Sequence, residues 1–177
     1  MAEGRRLDAD GLCRACYWGN LDDVKAHDAA GGDLNLRYAG GRNQTGLMAG
    51  AGGGETDVVA WLVGASGIEI DAQEDVGWTA LHWAALNGQT ACARLLLEGG
   101  ANPQIKTNDG MTALEVAQRY GQTEVAALLQ QHAAAPPAPQ PQPAPQPQPQ
   151  PEPPPQPPPQ PPAAEAAEEA EPPELDA

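Results

Sequence analysis

The chain has 177 residues, room for one domain and an appendage, and its 24 acids against 9 bases give a formal net charge of −15. A surface this acidic repels phosphate backbones and anionic headgroups, so binding to nucleic acid or to a membrane surface is not expected, and no stretch approaches the roughly 18 apolar residues of a membrane helix. An odd number of cysteines, three, and a start without an apolar leader point to free thiols in a reducing compartment, the cytoplasm or nucleus.

Composition divides the chain near residue 132. Nineteen of the twenty prolines lie at or after Pro136, whereas every aromatic residue lies at or before Tyr120 and every Lys or Arg at or before Arg119. The last 45 residues hold seven acids and no base, and the front holds 17 acids and 9 bases. A segment without aromatics and nearly without branched aliphatics cannot bury enough apolar surface to offset its ordering entropy. The expected organisation is a folded domain over residues 1–132 and a disordered, Pro/Gln-rich and acidic tail over 133–177.

Within the front a unit of about 33 residues recurs, at 8–37, 38–73, 74–106 and 107–132. In the first unit Leu12, Ala15, Gly19-Asn20 and Asn35 take the places of Leu81, Ala84, Gly88-Gln89 and Gln104. It lacks paired leucines, with Ala26-His27 instead, and reads as a cap. It also holds Cys13-Arg14-Ala15-Cys16. This C-x-x-C would be half a zinc site or a redox pair, but no second pair exists, only Cys92 and three scattered histidines, and no strand precedes it. Cys16 falls on an alanine core position, so buried thiols are expected.

In the second unit Thr45 and Leu47 precede Thr79 and Leu81 by 34 residues. Gly54-Glu55-Thr56 stands for Gly88-Gln89-Thr90, and Trp61-Leu62 for Leu95-Leu96, which makes Trp61 a core residue. The glycines at 50 and 52–54 suggest a phosphate loop, yet the lysine of G-x-x-x-x-G-K-[ST] is missing. The plainer reading is a weakened first helix, since each Gly costs about 1 kcal/mol relative to Ala. That helix would fray, or order when a partner binds.

The third and fourth units overlay at an offset of 33: Gly77 on Gly110, Thr79-Ala80-Leu81 on Thr112-Ala113-Leu114, Gly88-Gln89-Thr90 on Gly121-Gln122-Thr123, and Leu95-Leu96 on Leu128-Leu129. Each reads as helix, turn, helix, loop. Thr79 is placed to cap a helix whose Leu81, Ala84 and Ala85 share one face. Gly88 ends it. Residues 90–98 form the second helix, and Asn108-Asp109-Gly110 marks a hairpin-like turn. A helix pair this short cannot bury its apolar face alone, so neighbours stack. His82 could be a general base, but no nucleophile or orienting carboxylate lies near it in sequence.

The tail alternates Pro with Gln over 136–162. Polyproline II at about 3.1 Å per residue would make it a spacer on the order of 80 Å. SH3 ligands usually carry a base and WW ligands a tyrosine, both missing here, so a polyproline-binding protein with a purely aromatic groove is the partner it could take. The alternative is a solubilising linker. Residues 163–171 could form a short acidic helix, marginal in isolation.

The run from Asp75 through Gly77-Trp78-Thr79-Ala80-Leu81-His82-Trp83-Ala84-Ala85 to Gly88, followed by Leu95-Leu96-Leu97-Glu98-Gly99-Gly100-Ala101-Asn102, resembles the ankyrin repeat. Ala80 stands where that family prefers Pro, and Glu115 where it has His. The resemblance implies an all-α solenoid of about four helix-turn-helix units with β-hairpin-like loops, in which the histidine at position 82 joins neighbouring loops. It implies a protein–protein interaction module, not an enzyme, with no cofactor or metal. Such stacks bind through hairpin tips and the inner face of the first helices. Carried over by position, this selects Tyr38, Arg42 and Gln44; Asp75, Val76, Trp78 and Leu86; and Asn108, Asp109, Met111, Arg119 and Tyr120. Aromatics and Arg mixed with acids suit a partner protein with a basic, partly apolar face. The roles implied are adaptor, scaffold or inhibitor; alternatively a recognition or regulatory subunit of a ubiquitin ligase, phosphatase or kinase. A remote reading, from the four-unit size and the loop at 35–42, is regulation of actin capping, as in a small member of the family.

Overall fold

The computed structural model describes residues 6–134. The expected polyproline spacer and the short acidic helix lie outside the described residues.

Among the described residues eight α-helices form four pairs: α1 (Ala9–Tyr17) with α2 (Leu21–Ala29), α3 (Gly46–Gly53) with α4 (Thr56–Gly64), α5 (Ala80–Leu86) with α6 (Thr90–Glu98), and α7 (Ala113–Arg119) with α8 (Thr123–Ala134). The first helices pack in the file α1, α3, α5, α7 and the second helices in the file α2, α4, α6, α8. The mostly helical repeat stack expected from the sequence is the fold.

Local chemistry starts the first helices. Asp8 accepts from the Gly11 N–H at 2.8 Å, Thr45 from Met48 at 3.4 Å, and Thr112 from Glu115 at 3.3 Å. Each ends the same way. Gly19, Gly54, Gly88 and Gly121 have φ between +70° and +84°, and the residue after each donates its N–H back to position 15, 50, 84 or 117. A Cβ on Gly88 would lie against the Gln122 amide of the next unit, so glycine there answers to packing as well as to backbone conformation.

Between the two files runs a continuous apolar core. Leu12, Leu47, Leu62, Leu81, Leu96 and Leu129 are all 1% exposed or less, and burying such side chains is worth about 1.5–3 kcal/mol each. The packing of unit 2 corrects one sequence expectation, the placing of Trp61 in the core. The glycine-rich segment of unit 2 is helical over Gly46–Gly53 and forms the seam with α1. A Cβ on Gly46 would come within 2.8 Å of Cys16 Sγ, and one on Gly53 within 2.7 Å of the Tyr17 carbonyl oxygen. Small residues therefore set how closely α1 and α3 approach. Trp61, expected in the core, is only part-buried and lies against the core from outside, as Leu95 and Leu128 do at the same slot of the next two units, because this helix position faces the edge of the stack.

Candidate partner-binding surface

The tip of unit 2 is a short hairpin. Strands β1 (Arg37–Tyr38) and β2 (Gln44–Thr45) pair antiparallel in the register Arg37↔Thr45 and Tyr38↔Gln44. The link contains a 3-10 turn at Ala39–Gly41, and two residues that are not glycine, Arg42 (φ 62°) and Asn43 (φ 59°), sit in the left-handed region. Tyr38 lies over Gly40 and Gly41, where a Cβ would collide with its ring. Units 3 and 4 close their tips without strands: the Glu74 N–H donates to the Trp78 carbonyl at 3.0 Å, and Thr107 to Met111 at 2.9 Å.

Asp75 ties three tips together. Its N–H donates to the Arg42 carbonyl at 3.1 Å, and its carboxylate accepts from Asn43 Nδ2 at 2.6 Å. Its own carbonyl accepts from Asn108 Nδ2 at 3.0 Å, while the Asn108 N–H donates to the Val76 carbonyl at 3.1 Å. Arg42, Asp75, Val76 and Asn108 thus form one ladder, with Asp109 exposed beside it.

Below the tips the first helices present aromatic and apolar groups. The rings of Trp78 and Trp83 are 5.3 Å apart at 53°, and Trp78 also lies 6.1 Å from His82. Both tryptophans are part-buried, and the Trp83 Nε1 is buried without a hydrogen-bond partner. The exposed Arg119 reaches back along α7, with Nη1 3.4 Å from Met111 Sδ. Leu86 ends α5 and Tyr120 caps α7, so both lie at the far end of the first helices from the tips; Tyr120 is 53% exposed. The selected residues therefore split into a tip ladder, a central group around Trp78, Met111 and Arg119, and a helix-end group.

Sequence reasoning passed over Tyr17 and Trp18, which are 49% and 69% exposed and pack edge to face at 5.1 Å. The register that lays Leu12 on Leu81 also lays Tyr17 on Leu86, a signal that would have selected it. Trp83 was likewise not selected, although it follows His82 on the same helix.

Charge is managed by burial. Neither oxygen of the Glu74 carboxylate has a hydrogen-bond partner, and only 5% of the residue is exposed. Burial raises its pKa; Arg42 and Gln44 oppose the rise and Asp75 adds to it. The His82 ring accepts the Thr79 N–H at Nδ1 (3.2 Å), which leaves Nε2 to donate to the Met111 carbonyl (3.2 Å). This neutral form agrees with a pKa lowered by burial. In unit 4 Glu115 does the local half of that work. Its carboxylate accepts the Thr112 N–H at 2.7 Å, and that bond leads the causes that lower its pKa.

The three cysteines are buried and unpaired. Among the described residues no group of three or more His, Cys, Asp or Glu is placed to hold a metal ion, and no helix is long and apolar enough to cross a membrane.

A profile of the ankyrin-repeat family, described as ankyrin repeats in three copies, matches residues 12–107 and 47–139. A putative ankyrin repeat protein of Rickettsia bellii is 32% identical over 124 residues, covering 70% of this chain and 68% of its own length. A putative ankyrin repeat-containing protein of Treponema pallidum is 34% identical over 119 residues, 67% of this chain and 39% of that protein. The inhibitor of Bruton tyrosine kinase of Xenopus laevis is 35% identical over 87 residues, 49% of this chain and 6% of that protein. The chain spans less than a tenth of the length of several larger relatives it matches. Four stacked helix pairs with hydrogen-bonded tips, and a profile match across most of them, place this chain in the ankyrin-repeat family, whose repeats are protein–protein interaction modules.

Proposed function

We propose that the domain is an adaptor or inhibitor that holds a partner protein against its hairpin tips and first-helix face. The observation that carries this reading is the Trp78–Trp83 pair, 5.3 Å between rings and part-buried, set beside a tip ladder fixed by Asp75. Rigid aromatic groups near the centre of a surface supply most of the binding energy in protein interfaces, and arginine is the other enriched anchor. Arg42 stands at the tip margin and Arg119 reaches in toward Met111 at the centre, with the exposed acids Asp75, Asp109 and Glu115 around them. That mixture suits a partner whose contact face is apolar at its centre and basic around it. The likeness of part of the chain to an inhibitor of Bruton tyrosine kinase supports inhibition as one such role.

The reading assigns the chain no chemistry of its own. Both ring nitrogens of His82 are committed to scaffold hydrogen bonds, and the thiols are buried in their protonated form.

The test is capture of cellular proteins by the full chain and by Trp78→Ala and Tyr120→Ala, quantified by mass spectrometry. A protein bound through this surface is lost from at least one variant, with a cost of about 2 kcal/mol for each anchor. Unchanged capture by both, in variants that keep their circular dichroism, removes the surface.

A further inference from the structure

A second candidate site lies away from the tips, between the ends of α2 and α4. It is an open cleft of about 500 Å³ lined by Asp28 of α2 and by Ala60, Trp61, Gly64, Ala65 and Ser66 of α4 and the turn after it. Its origin is visible in the register. Trp61 takes the slot that Leu95 fills one unit later, while α2 turns Val24 and His27 into the core and has no long apolar side chain left for this seam. Two alanines and a glycine leave the indole uncovered.

The lining has one carboxylate, one hydroxyl, one indole and no base. Asp28 is exposed and takes part in neither of the ion pairs among the described residues, Asp10–Arg14 and Arg37–Glu69. An anion entering the cleft would meet that carboxylate, and a purely apolar group would strip water from it without replacing the lost hydrogen bonds. A cation on an apolar stem satisfies every part of the lining: its stem lies along Trp61 and the alanines, and its head reaches Asp28 and Ser66. The domain's own excess of acids favours basic partners.

We propose that the cleft of Asp28 and Trp61 receives an arginine or lysine side chain of a partner protein. The site is separate from the tip surface, so either can fail without the other.

The test uses the full chain labelled with nitrogen-15 and titrated with N-acetyl-arginine amide, reading the four indole N–H resonances. N-acetyl-citrulline amide, which has nearly the same shape without the charge, is the comparison. The expected result is a saturable shift at Trp61 with the arginine compound and a much weaker one with citrulline. Asp28→Asn should weaken the arginine compound about fivefold and leave citrulline unchanged. Ala60→Leu, at an exposed position, should fill the cleft and remove the shift. No saturable shift at Trp61, equal shifts from both compounds, or an Asp28→Asn variant that binds as the parent does would each overturn the proposal.

Discussion

The Nε2 of His82 lies 3.2 Å from the carbonyl oxygen of Met111, so a single imidazole closes the cap of α5 and reaches the tip of the next unit. Substituting alanine leaves the Thr79 N–H without its partner in a buried setting, at a cost of about 2 kcal/mol. Urea denaturation of His82→Ala should show that loss as a lower midpoint with an unchanged slope. The pH dependence has a definite sign. Burial holds the pKa below the ordinary histidine value, so the stabilisation is complete above that value and is lost as pH falls through the depressed one. His82→Gln should flatten this part of the pH profile.

Neighbouring glycines in α3 should respond in opposite directions. A Cβ on Gly52 would rest 3.5 Å from Asn87 Nδ2 and 3.7 Å from Trp83, ordinary contact, whereas one on Gly53 would press to 2.7 Å from the Tyr17 carbonyl oxygen. Gly52→Ala therefore gains the helix preference of alanine, up to about 1 kcal/mol. Gly53→Ala forces the α1–α3 seam apart and destabilises. Thermal melts of the two variants separate these effects. A rise for both would show that the seam gives way easily.

The architecture was legible because it is written in local and repeated terms: the 33-residue register, the threonine caps, the paired leucines and the glycines that end the first helices. What remained hidden depends on neighbours distant in sequence. The glycines of unit 2 read as a weakened helix, but that Gly53 also faces the Tyr17 carbonyl is seen only once α1 is laid against it, since the contact joins positions 53 and 17. Nothing in the local sequence marks Glu74 for burial, yet only 5% of it is exposed. Trp61 reads as core from its leucine pairing, but that slot is only half covered in units 2, 3 and 4 alike, as Leu95 and Leu128 show. The tip residues were selected by position, and the hydrogen bonds of Asp75 that unite them needed the stacked geometry.

The cysteines should be quiet in the folded protein. Burial pushes Cys13 and Cys92 up to about 11 and Cys16 up to about 12, with the charges of Asp10 and Glu55 adding to the first two and the nearby Cys13 to the third. The thiolate is the reactive species, and at neutral pH almost none is present. A chromogenic disulfide reagent should therefore titrate all three thiols only in denaturant and react slowly with the native chain. Fast native reaction at two sites would mean that the first unit opens readily.

Glu74 is the position where substitution should stabilise. The residue is only 5% exposed and its carboxylate makes no well-formed hydrogen bond, with the Arg42 charge and the Gln44 side chain alone favouring its ionised form, and a poorly satisfied buried carboxylate of this kind costs about 1–3 kcal/mol. Burial raises its pKa above the ordinary glutamate value. Its contribution is therefore most favourable below that value and declines as pH rises through the raised one. Glu74→Gln keeps the shape and removes the charge. The variant should melt higher than the parent at neutral pH, and the gap should close under acid conditions where the parent carboxyl is protonated. Asp71, whose pKa burial also raises, keeps some pH dependence in the variant. Equal melting temperatures at both pH values would show that water or the Arg42 side chain already satisfies the carboxylate in solution.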